Sequence, residues 1–240
     1  MSDDVKQPFS DPMGLIQRFG LTVVDGKEAE ELAAKERQQE ETDRRERLLS
    51  HYRSTASGVP SRYHREGLDT FRTETAELSA ALKKVLDFTK SSGCRVLILC
   101  GKPGTGKTHL GCGIIRERGG IYVPMLRLVY EVDSTMSYKA RETKVQLLDR
   151  LCEAPMLVLD EIGRMKVRED FQKELAAYVI GERYANGLPT VLISNLNKRD
   201  LVGWLETAVM DRLNECGEVI ELTGSSFRAV KRADVFGRIA

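Results

Sequence analysis

Short apolar runs alternate with amphipathic segments along most of the chain. The runs that predict buried strands are 95–100, 121–123, 156–159, 188–194 and 219–222. Between them apolar residues recur at helical spacing, which predicts helices over 74–91, 109–116, 125–150, 168–186 and 197–215, with a break in the third near 134–137. Strands that alternate with helices predict an α/β fold with a doubly wound, mostly parallel sheet.

The N-terminal part departs from this alternation. Over 27–52 no Gly or Pro interrupts a sequence rich in Ala, Glu, Lys, Arg and Gln, which predicts a solvated helical arm. Residues 54–61 have the composition of a linker. We therefore divide the chain into an N-terminal segment 1–53, a linker 54–61 and a main domain 62–240. An apolar patch over 13–24 could dock onto the main domain or bind a partner protein.

The segment 101–108 reads GKPGTGKT and fits the phosphate-binding pattern G-x-x-x-x-G-K-[ST] between a strand and a helix. Glycines let backbone N–H groups turn toward phosphate oxygens, and the helix start adds the positive end of its dipole. Lys107 can reach the β- and γ-phosphates, and Thr108 can place its hydroxyl on Mg²⁺. The predicted nucleotide-binding residues here are Gly101, Lys102, Pro103, Gly104, Thr105, Gly106, Lys107, Thr108 and His109.

The apolar run at 156–159 ends in Asp160 and Glu161, a pattern known as Walker B. A carboxylate at the C-terminal end of a parallel strand faces the crevice where ligands bind. Asp160 can hold Mg²⁺, directly or through water, and Glu161 can orient the attacking water. We assign no guanine-reading N-K-x-D element, so ATP with Mg²⁺ is the expected ligand.

These two motifs suggest roles for three further polar residues. Asn195 follows the fourth predicted strand and could face the γ-phosphate or begin a turn. Arg212, remote in sequence from the loop, could reach a neighbouring subunit's nucleotide or pair with Asp211 or Glu215. Arg228 could contact the nucleotide from the C-terminal side or be an ordinary surface residue.

Composition narrows the possible partners. With 37 Lys and Arg against 36 Asp and Glu, the net charge is +1, so any nucleic-acid surface must be a local patch. The 5 cysteines form no C-x-x-C pair, which argues against a zinc ribbon or a disulfide framework. Neither a signal-peptide pattern nor an apolar run of ~18 residues occurs, so we expect a cytoplasmic protein with no membrane contact.

The order of the motifs carries a resemblance to a known family. GKPGTGKTHL, LVLDEIG, LISN, VMDRL and SFR follow one another after the lead-in SGVPSRY at 57–63. Over roughly 58–228 the chain resembles the DnaC/DnaI-type replicative helicase loaders, which are AAA+ ATPases. The resemblance implies a P-loop core of sheet order 5-1-4-3-2, with a small helical N-terminal extension and almost no C-terminal lid.

The resemblance also implies roles for individual residues. It makes 101–108 Walker A, Asn195 sensor 1, Arg212 the arginine finger and Arg228 sensor 2. The implied catalytic residues are Lys107, Glu161, Asn195 and Arg212, and the implied metal ligands are Thr108 and Asp160. ATP would lie at junctions between self-assembled subunits, and the N-terminal segment would grip the hexameric replicative helicase.

Single-stranded DNA is a further partner that the resemblance implies. Two basic clusters are candidates, one after Walker B and one between the second and third strands, where helical loaders carry an inserted helix. Their residues are Arg164, Lys166 and Arg168, and Tyr138, Lys139, Arg141 and Lys144. Tyr138 could stack on a base. Either cluster could equally be an ordinary solvated face.

The expected function is therefore a low-turnover ATPase, stimulated by a neighbouring subunit, that loads a replicative helicase onto single-stranded DNA and uses hydrolysis for release. One alternative is an IstB-like transposition helper ATPase that acts with a transposase on duplex DNA. Another is an adaptor that senses nucleotide without turnover. Val59, Pro60 and Tyr63 are candidates for the adenine pocket, with ordinary packing as the alternative.

Overall fold

A computed structural model describes residues 26–91, 93, 95–205 and 207–227. Its α-helices are α1 (Gly26–Arg53), α2 (Ala76–Lys90), α3 (Lys107–Arg118), α4 (Met125–Ser134), α5 (Lys144–Cys152), α6 (Glu169–Ala185), α7 (Lys198–Trp204) and α8 (Thr207–Cys216). Its strands are β1 (Val96–Gly101), β2 (Ile121–Pro124), β3 (Leu157–Ile162), β4 (Thr190–Ser194) and β5 (Gly217–Leu222). Three short 3₁₀ turns, Thr55–Ser57, Ser61–Tyr63 and Leu68–Thr70, connect α1 to α2.

The strands form one parallel sheet in the order β2-β3-β4-β1-β5. This confirms the predicted order 5-1-4-3-2 and the AAA+ P-loop core. Val96 at the start of β1 pairs with Thr190 of β4 and with Gly217 of β5. Because all strands run the same way, the segments that follow β1, β3 and β4 emerge at one edge of the sheet, where ligands bind in such folds.

Two hydrophobic layers cover the sheet, which explains why its strands read as continuous apolar runs. Alternate strand residues enter opposite layers: Leu97 and Leu99 pack with α2 and α3, whereas Val96 and Ile98 pack with the layer of α4 to α8. On β3, Val158 packs in the layer of α2 and α3, whereas Leu157 and Leu159 pack in the layer of α4 to α8. Asp160 follows Val158 by two residues, so the strand period directs it toward α3 as well.

The chain divides into two units, one ending at Glu46 and the other beginning at Arg47. In the first, nearly every described side chain of α1 is solvent-exposed, with Leu32 54% exposed. In the second, the last turn of α1 packs on the sheet domain: His51 Nε2 lies 2.7 Å from the Gly120 carbonyl oxygen, and Tyr52 is fully buried. The limits 1–53, 54–61 and 62–240 and the binding role of the first segment stay predictions, and the patch at 13–24 lies outside the described residues.

Two element boundaries differ from the sequence prediction for identifiable reasons. The fourth strand begins at Thr190 rather than 188, because Gly187 and Leu188 close the end of α6 by donating to the carbonyls of Tyr184 and Arg183. The break predicted near 134–137 is real but longer, and α5 begins only after Thr143, whose side chain accepts from the Gln146 N–H in a capping box.

Arg183 is a fully buried cation inside the sheet domain. Its guanidinium donates to Thr190 Oγ1 and to four backbone carbonyls, those of Leu151, Cys152, Ala154 and Pro189. Burial lowers the pKa of Arg183 to about 10. These bonds fix the start of β4 against the segment that leads into β3. Within the described ranges, none of the helices has the length and apolar character to cross a bilayer.

Candidate nucleotide site

The loop between β1 and α3 has the shape that phosphate binding requires. Gly101, Gly104 and Gly106 all have positive φ angles, and α3 begins directly afterwards at Lys107. Thr105 is buried and its hydroxyl donates to the Lys102 carbonyl at 3.0 Å. The loop therefore curves around the N-terminus of α3, where unpaired N–H groups and the helix dipole favour an anion.

Lys107 is held inside this loop. Its side chain is only 4% exposed, and its Nζ donates to the carbonyl oxygens of Gly101 and Lys102, each at 2.7 Å. A buried ammonium needs hydrogen-bond acceptors, and here the loop backbone supplies them. Phosphate oxygens are stronger acceptors because they are charged. The cation is thus positioned for a phosphate that enters the loop.

Asp160 lies beside the start of α3. Its Oδ2 accepts from Thr108 Oγ1 at 2.9 Å and from the Tyr122 hydroxyl at 2.7 Å, while its Oδ1 accepts from the Glu161 N–H at 2.6 Å. Burial raises the pKa of the Asp160 carboxyl, and these hydrogen bonds oppose the rise. A hydroxyl and a carboxylate next to a phosphate loop fit Mg²⁺, which takes one or two protein oxygens plus phosphate and water.

Glu161 sits at an irregularity of β3. The register with β4 shifts between Leu159 and Ile162, and Glu161 has a φ of +61°. Its carboxylate is half-exposed and forms an ion pair with Arg164, three residues on. A non-glycine residue in this backbone region is uncommon and costs energy, which motivates a functional hypothesis for it.

Asn195 directly follows β4, half-buried, and β4 lies between β1 and β3 in the sheet. It therefore lies between the phosphate loop and Asp160. Its neighbours tie the three strand ends together: Gly101 N–H donates to the Leu196 carbonyl at 3.0 Å, and Ser194 Oγ donates to the Ile162 carbonyl at 2.7 Å.

The lead-in segment before α2 packs against the helix of the phosphate loop. His109 Nε2 lies 2.8 Å from the Gly67 carbonyl oxygen, and its ring meets Phe71 edge-on with centroids 5.6 Å apart. The His109 side chain therefore faces the lead-in. Of the adenine-pocket candidates, Val59 is buried in the core, while Pro60 and Tyr63 are half-buried. Their role stays a prediction.

The C-terminal segment also reaches the loop. The Phe227 N–H donates to the Gly104 carbonyl at 3.0 Å, and a Cβ on Gly104 would lie 2.0 Å from Ser226 Oγ. Arg228 and the predicted near-absence of a C-terminal lid lie outside the described residues. The segment that leads to Arg228 nevertheless ends against the phosphate loop.

A match to a sequence profile shows the family of this chain. The profile of the IstB-like ATP binding proteins matches residues 28–234. The chain belongs to this ATP-binding family. It is 28% identical over 165 residues to the replicative helicase loader DnaC of Escherichia coli K12, a match that covers 65% of this chain and 66% of that relative. The match therefore spans just under two thirds of the relative's length.

Two further proteins are similar to this chain. An insertion sequence IS21-like ATP-binding protein of Bacteroides fragilis is 26% identical over 202 residues, covering 80% of this chain and 74% of the relative. The crystal structure of the DnaC helicase loader superposes with a TM-score of 0.59 at 25% identity, covering 68% of this chain and 100% of that chain. The resemblance drawn from the motifs is thereby confirmed.

Arg212 lies away from this chain's own phosphate loop. Its guanidinium carbon is 5.8 Å from the ring centre of Tyr184, near the end of α6. The end of α6 leads into the start of β4. The phosphate loop follows the end of β1, and the starts and ends of these parallel strands are about 16 Å apart. The arginine is therefore remote from the nucleotide that its own IstB-like core would bind.

The two basic clusters meet around one aromatic ring. Arg168 and Lys144 place their cations 4.3 Å and 5.7 Å from the ring centre of Phe171, and Arg168 also pairs with Asp133. Asp133 is near the end of α4 and Lys144 begins α5, so the 135–143 connection starts and ends beside this ring. We call this region the Phe171 patch; it comprises Tyr138, Lys139, Arg141, Lys144, Lys166, Arg168 and Phe171.

The residues in and beside the Phe171 patch differ in their exposure and in their ion pairs. Tyr138 is completely exposed, and so are large parts of Met136, two residues before it, and of Val167, between Lys166 and Arg168. Lys139, Arg141 and Lys166 are exposed as well. Arg164, from the same predicted cluster as Lys166, is instead paired with Glu161.

Sequence reasoning missed two features of the site. Tyr122 on β2 is 4% exposed and donates to Asp160, which only the register between β2 and β3 could have revealed. The expectation of adenine also overlooked that 197–200 reads NKRD, which fits N-K-x-D. Here Asn197 caps α7: its Oδ1 accepts from the Asp200 N–H at 2.9 Å and its Nδ2 donates to the Asp200 carboxylate. The preference for ATP accordingly rests on the family.

Proposed function

We propose that this chain is an ATPase that loads a replicative DNA helicase onto single-stranded DNA. The observation that carries the proposal is the convergence of Lys107, Asp160, Glu161 and Asn195 at one edge of an AAA+ sheet, in a chain related to a helicase loader over most of its sheet domain. The family binds ATP; hydrolysis, loading and the partners are the proposed part.

In the proposed reaction, the triphosphate enters the loop 101–108 and Lys107 exchanges its backbone acceptors for phosphate oxygens. Thr108 and Asp160 would hold Mg²⁺, which supplies charge neutralisation at the phosphates. Glu161 orients the attacking water. For this its carboxylate must leave its ion pair with Arg164 and contact the water instead. Asn195, between the strand ends, would bind the γ-phosphate or the water.

Self-assembly completes the proposed site. Because Arg212 lies toward the far end of the strands, it would serve the nucleotide of a neighbouring subunit. An arginine supplied to another active site can raise turnover by ~10³-fold or more. The isolated chain should therefore hydrolyse ATP slowly, and assembly should stimulate it. Arg228 would act on the C-terminal side of the same nucleotide.

The proposed partners follow from two different parts of the chain. The segment 1–53 would bind the hexameric helicase, since α1 presents an exposed helix before the sheet domain. The Phe171 patch would bind single-stranded DNA, because it combines cations for phosphates with an exposed tyrosine on which a base can stack. ATP binding would order the assembly and hydrolysis would release it.

A second candidate function has its own support. The relative from Bacteroides fragilis covers 80% of this chain, more than the 65% covered by the loader of Escherichia coli. We therefore also weigh a transposition helper ATPase that acts with a transposase on duplex DNA. The two functions differ in DNA form: a loader should prefer single-stranded over duplex DNA, and a transposition helper should show the reverse.

The hydrolysis proposal is tested by Glu161→Gln with Lys107→Ala beside it. Glu161→Gln should bind a fluorescent ATP analogue like the wild type but lose hydrolysis, because the amide cannot orient the water as a carboxylate does. Lys107→Ala should lose binding itself. Single-turnover hydrolysis with single-stranded DNA present is the measurement. Unaltered hydrolysis in Glu161→Gln would remove this residue from the mechanism.

A further inference from the structure

Tyr122 is the buried hydroxyl that contacts the carboxylate of the proposed metal site. Its oxygen lies 2.7 Å from Asp160 Oδ2, the same atom to which Thr108 donates at 2.9 Å. Tyr122 and Asp160 are 4% and 3% exposed. Both groups are thus buried. A hydrogen bond between buried groups is strong, and its loss is costly.

We propose that Tyr122 is a positioning residue that holds the Asp160 carboxylate in the orientation needed for Mg²⁺ of the bound nucleotide. The inference rests on the proposed ATPase function. Tyr122 touches neither phosphate nor the reacting atoms. It acts through Asp160.

The sheet register explains how β2 reaches this carboxylate. Tyr122 pairs with Val158, and Asp160 is two residues further along β3, on the same face of the sheet. Tyr122 and Val158 both pack in the layer of α3, the helix that carries Thr108. The hydroxyl and the Thr108 side chain therefore approach Asp160 Oδ2 from two different elements, β2 and α3.

The donors around Asp160 determine what the metal can use. An ionised carboxylate offers about four acceptor positions. Thr108 and Tyr122 occupy two at Oδ2, and the Glu161 N–H occupies one at Oδ1. This leaves about one for a metal-bound water. Tyr122 and Thr108 therefore restrict the position from which the Asp160 carboxylate could reach Mg²⁺.

Tyr122 is also in close contact through its backbone. The chain at Gly58 passes so close that a Cβ there would lie 2.1 Å from the Tyr122 carbonyl oxygen. This contact joins the lead-in SGVPSRY to β2 at the residue whose hydroxyl reaches Asp160. The lead-in contacts the backbone of Tyr122 and Asp160 accepts from its side chain, so the lead-in, the edge strand and the metal-site carboxylate are connected through one residue.

The test compares Tyr122→Phe with Tyr52→Phe. Tyr52 is also fully buried, but its hydroxyl donates to the Tyr63 and Glu66 carbonyls instead of a carboxylate. A fluorescent ATP analogue is bound first in EDTA and then over a Mg²⁺ titration. Tyr122→Phe should bind like the wild type in EDTA but need about tenfold more Mg²⁺, because a hydrogen bond to a charged group is lost. Tyr52→Phe should keep the wild-type Mg²⁺ requirement.

A wild-type Mg²⁺ requirement in folded Tyr122→Phe would overturn the inference. If the wild-type chain itself binds no ATP, the proposed function fails, and the two failures are thereby distinguished. Should Tyr122→Phe not fold, ¹³C-labelled tyrosine in the wild-type chain gives the answer. The ring-carbon resonance of Tyr122 should shift when Mg²⁺ joins the nucleotide complex and that of Tyr52 should not; a Tyr122 resonance that stays in place would also overturn it.

Discussion

Gly104→Ala tests whether the shape of the phosphate loop sets ATP affinity. Gly104 has a φ of +87°, and an added Cβ would lie 2.0 Å from Ser226 Oγ and 2.9 Å from Ser226 Cβ. The Phe227 N–H also donates to the Gly104 carbonyl at 3.0 Å. The loop and the C-terminal segment therefore cannot separate to admit a methyl group without losing that bond.

The magnitude follows from two terms. A side chain in the left-handed region costs about 1–2 kcal/mol, and the lost backbone bond adds about 0.5–1.5 kcal/mol. The free energy of unfolding should therefore fall by about 1.5–3.5 kcal/mol. If the loop shifts so that one N–H no longer meets a phosphate oxygen, ATP affinity falls about 10- to 100-fold, since a hydrogen bond to a charged group contributes about 1.5–3 kcal/mol.

Gly187→Ala is the matched control. Gly187 has a similar φ of +66°, but nothing lies within 4 Å of a Cβ there. It should show the backbone cost alone, about 1–2 kcal/mol by urea denaturation, with unchanged affinity for a fluorescent ATP analogue. Wild-type ATP affinity in Gly104→Ala would show that the shape of the loop does not set affinity, because the loop would then tolerate displacement without consequence for its ligand.

Two further predictions concern the assembly and its DNA. Arg212→Ala should leave ATP affinity unchanged but remove the rise in turnover with protein concentration, a loss of ~10³-fold or more; a turnover per subunit that still rises like the wild type would exclude Arg212 as the finger. Lys166→Glu should weaken single-stranded DNA binding and lower the slope of log affinity against log salt by about 1, whereas Lys83→Glu, on the exposed side of α2, should change neither; equal behaviour of the two variants would argue against the Phe171 patch.

The elements of this fold could be predicted because their signals are local. Helix α6 was expected over 168–186 and runs Glu169–Ala185, since its apolar spacing and its C-terminal glycine are both in the sequence. The phosphate loop and Asp160-Glu161 were predicted for the same reason. The sheet order, in contrast, came from the resemblance, because strand order depends on crossover connections that periodicity does not encode.

The remaining contacts could not be predicted because they join distant segments. Tyr122 and Asp160 meet only through the pairing of β2 with β3. The two basic clusters were predicted separately, and only the packing of Phe171 brings Lys144 and Arg168 together. The helix predicted over 168–186 includes Arg183 but gives no sign of its acceptors, which lie on the segments before β3 and β4. Side-chain hydrogen bonds over such separations leave no periodic signal in the chain.

If this chain loads a replicative helicase, ATP should control its binding to that helicase. Size-exclusion chromatography with light scattering of the chain mixed with its host's hexameric helicase, with and without ATP and Mg²⁺, tests it most directly. We expect a complex whose mass exceeds that of the helicase and whose stability changes with ATP, and we expect Lys107→Ala to lose the response to ATP. Failure of the two proteins to form a complex in either condition would contradict it.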